Sequence, residues 1–287
     1  MASVIQNVAR LASQTFSKKV TDESLSQLRT LFASVTAEDV DFKGDLLEKR
    51  ADLIAPTIHM DIHHEDCYSI TLFGVREGQK IPLHDHPGMY GIIKVIKGSF
   101  NLKSFTPLDP ETVSPPQEIR SRISSFRSRF TRFKDRLQPA ILADERIVSA
   151  TENTTCLLKP DEGNIHEVTS IDGLSTFVDI LAPPYQDSVR DCHFYTVLGT
   201  SFDQRLNCDI SWLMETSAPL SYWCDSIPYT GPPIWLRKIL VLFPTINHKI
   251  VSFFTLLIAA VNSVLDYGFY CLCTSWLFEF LLIMLAK

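Results

Sequence analysis

Gly78-Gln79-Lys80-Ile81-Pro82-Leu83-His84-Asp85-His86-Pro87-Gly88-Met89-Tyr90-Gly91 is the stretch on which the reading of this chain turns. Successive side chains of an extended strand point to opposite faces. His84 and His86 therefore project two imidazoles to one side, while Leu83 and Asp85 point to the other. Two nitrogen ligands are delivered at once, and a third has to come from elsewhere. The best candidate is His166, in Pro160-Asp161-Glu162-Gly163-Asn164-Ile165-His166, where Pro160 and Gly163 mark a turn that brings the ring toward a barrel interior. Three neutral imidazoles on one face of a metal ion leave coordination positions open, an arrangement suited to catalysis as well as structure. Taken singly, each histidine has a plainer reading as a hydrogen-bonded core or surface residue, and a bare His-x-His recurs by chance.

Outward from this stretch the middle of the chain reads as β. Residues 68–75, 91–97, 100–105, 156–159 and 174–181 are short apolar or alternating runs separated by Gly, Pro and Asp, the rhythm of a sandwich or barrel. Ahead of them Val4, Ile5, Val8, Leu11, Ala12 and Phe16, then Leu25, Leu28, Leu31 and Phe32, recur at helical spacing and predict two amphipathic helices. His59 and the pair His63-His64 fall before the first expected barrel strand and are read as surface or core residues. Residues 107–139 read as a solvated surface loop. Its basic run with interleaved Phe126, Phe130 and Phe133 has the composition of an RNA grip, but the host is acidic and carries no recognised RNA-binding motif, so no nucleic-acid partner is expected.

At 287 residues with 45% hydrophobic and 21% charged side chains, the chain can bury a sizeable core, which excludes wholesale disorder or a low-complexity fibre. A net charge of -6 gives no general attraction to nucleic acid or anionic lipid. The mean hydropathy of +0.06 has a local source. Residues 235–287 carry four basic side chains (Arg237, Lys238, Lys249, Lys287) and two acidic ones (Asp266, Glu279). They contain an uncharged run at 250–265 and a second at 267–286 interrupted only by Glu279. As helices the first run is about 24 Å long, short of a ~30 Å hydrocarbon core, and the second is long enough. Glu279 in lipid costs roughly a few kcal/mol unless paired. Three readings stand side by side: a membrane segment through 250–286, a buried helical pair, and an extension of a gene model into non-coding sequence. The expected organisation is N-terminal helices over 1–45, a barrel domain over 46–234 and an apolar tail over 235–287. The seven cysteines form no CxxC pair and no regular framework, and no secretory signal is present, which points to reduced thiols and a cytoplasmic protein, membrane-tethered if the tail is an anchor.

Gly-x5-His-x-His, with Gly98 following the next strand, resembles the first cupin motif, and Pro160, Gly163 and His166 match the second loosely. The cupin position that commonly carries a glutamate ligand is Tyr90 here, which leaves a three-histidine site as in thiol dioxygenases. The strings IPLHDHPGMYG (81–91), DILAPPY (179–185), RDCHFY (190–195), WLMET (212–216) and YWCDSIPYTGP (222–232) are similar, in order, to the family of 2-aminoethanethiol (cysteamine) dioxygenases and plant cysteine oxidases. The resemblance covers about residues 1–234. It implies a mainly β cupin (double-stranded β-helix, jelly-roll) barrel with N-terminal helices packed on it. It also implies one Fe(2+) per subunit held by His84, His86 and His166, and addition of both atoms of O2 to a thiol to give a sulfinate. The implied substrates are cysteamine, converted to hypotaurine, and proteins with an N-terminal cysteine, whose oxidation reports oxygen supply. Asp179 and Tyr185 match family positions near the iron. The implied role of Asp179 is to orient substrate or a ligand imidazole, and that of Tyr185 is to donate a hydrogen bond to bound oxygen or substrate. A monomer is expected. Phe194 departs from relatives that tend to have Tyr there; a thioether from Cys192 would need a phenol, so none is expected, and His193 is not expected to be a ligand. A competing class is a non-catalytic metal-binding cupin, acting as a sensor or membrane-tethered scaffold, which would return a thiol unchanged.

Overall fold

The computed structural model describes residues 2–47, 49–126 and 137–235. Two helices lead, α1 (Val4–Phe16) and α2 (Asp22–Phe32). Ser3 caps α1 by accepting the Gln6 N–H, and Thr21 and Ser24 cap α2 reciprocally, which satisfies backbone donors that the first turn leaves open. The apolar stripe of α1 (Ile5, Val8, Ala9 and Ala12) is fully buried, and the Tyr68 hydroxyl donates to the Ala9 carbonyl at 2.8 Å to fasten the helix to the barrel.

The strands are β1 (Thr57–Glu65), β2 (Tyr68–Val75), β3 (Lys80–Asp85), β4 (Tyr90–Lys97), β5 (Ser99–Pro107), β6 (Leu137–Ser149), β7 (Cys156–Leu158), β8 (Ile165–Ser170), β9 (Ser175–Ala182), β10 (Phe194–Asp203), β11 (Cys208–Thr216) and β12 (Cys224–Ser226). One sheet runs β12-β1-β2-β9-β4-β7. The other runs β10-β11-β6-β5-β8-β3 and closes on itself where β3 meets β10. Ile93, Val95, Phe100, Leu102, Val168 and Phe177, drawn from both sheets, meet in one buried core. This is the mainly β barrel that the alternating runs predict. The compact unit that contains it spans Met1–Trp235.

Three sequence expectations need correction or limits. Residues 107–139 are not a loop throughout: α4 (Gln117–Phe126) forms there and β6 begins at Leu137. α4 has an apolar edge that the arginines mask in the sequence, with Ile119 buried and Ile123 half-buried against Leu198, Trp212 and Met214. His59, His63 and His64 lie within β1, which is itself a strand of the first sheet. The phenylalanine-rich run 127–136 and the apolar tail 236–287 lie outside the described residues, and with them the proposed membrane segment. Among the described residues no helix is long and apolar enough to cross a membrane.

Candidate metal centre

β3 and β8 run antiparallel, and their register changes by one residue between the pairs Ile81↔Val168 and His84↔His166. Pro82 sits in that irregularity. A proline has no N–H to give a ladder, so it is tolerated in a sheet at a bulge. The slip sets His84 directly opposite His166, and cross-strand partners share a face. Pro82 contributes again through its carbonyl, which accepts a hydrogen bond from His84 Nδ1 at 2.7 Å. That leaves His84 Nε2 with its lone pair directed inward.

His86 lies just beyond the end of β3, on the same side as His84. Its backbone N–H donates to the Asn164 side-chain oxygen at 3.2 Å, and the Asn164 amide donates to the Lys159 carbonyl at 2.9 Å. Asn164 thus ties the turn that carries His86 to the turn that delivers His166. Gly163, at φ +63°, lets that second turn form. The Tyr185 hydroxyl donates to the Asp85 carbonyl at 2.5 Å, so its oxygen is free to accept from His86 Nδ1 at 2.8 Å. His86 therefore also presents Nε2 inward.

The outcome is a set of three ring nitrogens in close approach, His86 Nε2 3.0 Å and His84 Nε2 3.2 Å from His166 Nε2. All three residues are buried. Burial holds each imidazole below its usual pKa, His86 and His166 well below, so all three are neutral at pH 7. Converging neutral imidazoles are the donor set of a divalent transition metal, and neutral ligands leave the charge of such an ion uncompensated. The three are a group able to hold a metal ion between them. His166 Nδ1 is buried without a hydrogen-bond partner.

Asp179 lies on β9 opposite Thr71 and Ile93. Burial pushes its carboxyl up to about 8, and its Oδ1 has no hydrogen-bond partner. Burial holds the neighbouring Tyr185 phenol far above the usual range. Tyr185 meets the His86 imidazole rather than open space. Cys192 lies beside Tyr185, and burial raises its thiol to about 11. Phe194 sits near the His84 ring, centroids 6.2 Å apart, and on its other side near Tyr222 at 5.8 Å. A cavity of about 200 Å3 reaches His166 past Ile93, Leu102, Ser104 and Cys156, with Arg146 among the residues around it.

Asp85 and Tyr195, assigned no role at the site from the sequence, and His193, read there as no ligand, are neighbours of the site. Asp85 accepts from the His193 backbone N–H at 2.8 Å and from the Tyr195 hydroxyl at 3.0 Å. Alternation on β3 signals that Asp85 faces away from His84 and His86, but nothing in the sequence shows which residues it meets.

A β barrel with three buried imidazoles converging in it defines a cupin-type fold with a cluster of side chains that could hold one metal ion. The family model PCO_ADO matches residues 25–234, and the chain belongs to that family. The human 2-aminoethanethiol dioxygenase is 31% identical over 271 residues, covering 82% of this chain and 98% of that protein. Plant cysteine oxidase 1 of Arabidopsis thaliana is 26% identical over 185 residues, covering 61% of this chain and 55% of that protein. A protein of Klebsiella pneumoniae with a double-stranded β-helix domain is 14% identical, with a TM-score of 0.32, over 53% of this chain and 94% of that chain.

Proposed function

We propose that this chain is an Fe(II)-dependent thiol dioxygenase that converts cysteamine to hypotaurine, or the N-terminal cysteine of a protein to cysteine sulfinic acid. The observation that carries the reading is the buried set of three neutral imidazoles, with no carboxylate among them, in a member of the PCO_ADO family. Fe(II) held by His84, His86 and His166 would supply the redox chemistry by which both atoms of O2 join a thiolate sulfur, RS⁻ + O2 → RSO2⁻.

The chain's own residues prepare that step. Because all three imidazoles are neutral, the charge of an ion held by them would be uncompensated and would favour the deprotonated form of a substrate thiol. Cys192, with its thiol raised to about 11, stays protonated and does not compete. Tyr185 holds the His86 ring by accepting its Nδ1–H while donating to the Asp85 carbonyl. In this role it orients a ligand; a second role toward bound oxygen or substrate would require its hydroxyl to leave the Asp85 carbonyl. Both substrate types carry an amine two carbons from the thiol. Asp179, buried with a free Oδ1, is the acceptor for that ammonium, and a bound cation would draw its carboxyl toward the ionised form.

The test is oxygen uptake by iron-loaded protein with cysteamine and with a Cys-initiated peptide in separate reactions, read by mass spectrometry. A gain of two oxygen atoms in the thiol, one O2 consumed per sulfinate, is the expected result. An unchanged thiol in both reactions identifies a binding module instead.

A further inference from the structure

We propose that Asp85 is a positioning residue for the metal centre: by fastening β10 to the ligand-bearing end of β3, it sets the aim of the His84 and His86 rings. The inference rests on the reading of the three histidines as metal ligands.

The second sheet closes only where β3 meets β10. Its other neighbouring strands pair over several successive positions, but this seam has a single paired position, Phe194↔His84. A ladder that short does not hold an edge by itself. The seam also lies at a ligand, so any opening moves His84 directly.

Asp85 supplies what the ladder lacks. Its backbone N–H donates to the His193 carbonyl at 3.1 Å. Its carboxylate accepts from the His193 N–H at 2.8 Å, from His193 Nδ1 at 3.0 Å through Oδ2, and from the Tyr195 hydroxyl at 3.0 Å. Its own carbonyl accepts from Tyr185, the residue that orients His86. Every polar group of residue 85, backbone and side chain, is therefore engaged by the segment 185–195, which lies about a hundred residues further along the chain. Asp85 itself is buried. Because it stands between the two ligands, a shift of its backbone carries both imidazoles with it. Partners that orient metal ligands typically govern affinity by ~10–100-fold.

Asp is also the residue type the geometry asks for. Three donors from His193 and Tyr195, at the start of β10, converge on the side chain, and a carboxylate accepts on both oxygens. Asn keeps the shape but offers one acceptor, and Ala offers none.

The experiment is the Fe(II) dissociation constant of the full chain, measured anaerobically by chelator competition, alongside the melting temperature of the metal-free protein. Asp85→Ala is expected to weaken Fe(II) binding about 10–100-fold, and Asp85→Asn to fall between it and the wild type. Val75→Ala, a core truncation on β2 away from the seam, serves as the control for instability alone: it lowers the melting temperature and leaves the dissociation constant within about twofold. If Asp85→Ala does not fold, Asp85→Asn and Tyr195→Phe carry the test, each expected to weaken binding several-fold. Wild-type binding with an unchanged dissociation constant in every folded variant overturns the inference alone, and a melting temperature that falls without loss of affinity leaves Asp85 a purely structural residue. Failure of the wild type to bind Fe(II) overturns the metal reading, and this inference with it.

Discussion

Asp179 is a buried acid whose carboxyl is pushed up to about 8 by desolvation and whose Oδ1 has no partner. The consequence for stability has a definite sign. An acid with a raised folded pKa binds its proton more tightly in the folded than in the unfolded chain, where the usual value is about 4. Its contribution is therefore best below pH ~4, is lost as pH rises from there toward 8, and changes no further above that. The slope is at most about 1.4 kcal/mol per pH unit. Metal-free wild type is expected to lose melting temperature between pH 5.5 and 8, and Asp179→Asn to flatten that decline; parallel pH profiles for the two proteins would exclude a buried proton on Asp179. Activity should move the opposite way, since the amide gives up the charge that receives an ammonium, so Asp179→Asn is expected to raise KM for cysteamine. Tyr185→Phe tests a different link. It leaves the His86 Nδ1–H without its acceptor, and the expected result is an Fe(II) dissociation constant about 10–100-fold higher, by chelator competition, with the fold retained.

Among the elements, β3 shows how a few residues decide both fold and site. The Pro82 irregularity is the reason His84 faces His166, and the free carbonyl at that point fixes the His84 ring. The convergence of the three histidines was legible in the sequence because alternation places His84 and His86 on one face and a Pro/Gly turn announces His166. Tyr185 was named at the site, but the partners of Asp85 were not legible, because it meets residues 193 and 195, and contacts at that separation leave no local pattern. The same limit hid β6. Its Asp144-Glu145-Arg146 run, half-buried at Asp144 and exposed at the next two, breaks the apolar alternation, so the strand is held largely by pairing with β5 along most of its length. α4 was hidden by its arginines, with only Ile119 and Ile123 to mark an inner edge. Gly98 was visible as a motif residue, and the structure supplies the cause. It joins β4 to β5 at φ +71°, and a Cβ there would lie 2.3 Å from Ser175 Oγ and 3.0 Å from the Ser175 Cα. Gly98→Ala meets both the left-handed backbone cost and a clash that backbone atoms do not relieve. The expected loss is about 2 kcal/mol or more by urea unfolding, and an unchanged midpoint would mean that the β4–β5 turn rearranges without cost.

For the whole molecule, the question is where the folded unit ends, since composition places the grease of the chain in residues 235–287 and contacts place the limit of the barrel unit at Trp235. The Trp235 ring is largely exposed, so it does little by apolar burial. Its backbone does more: the Trp235 N–H donates to Gln6 Oε1 at 2.6 Å, and Gln6 Nε2 donates to the Trp235 carbonyl at 3.1 Å. Gln6 is a buried polar residue on the otherwise apolar face of α1. A buried amide that loses its partners costs about 1–3 kcal/mol, so the first helix depends on the last described residue. Gln6→Ala in the full chain is expected to cost about 1–2 kcal/mol, and removal of everything after residue 233 should cost a similar amount, because each deletes the same two hydrogen bonds. Combined, the two changes should cost clearly less than their sum, since a Gln6 already without partners is no loss when removed. For a unit of this size each kcal/mol corresponds to a melting-temperature change of about 2–4 °C. A fragment ending at Trp235 should melt close to the wild-type temperature and one ending at 233 several degrees lower, and additive losses in the double change would show that Gln6 and Trp235 act on stability separately.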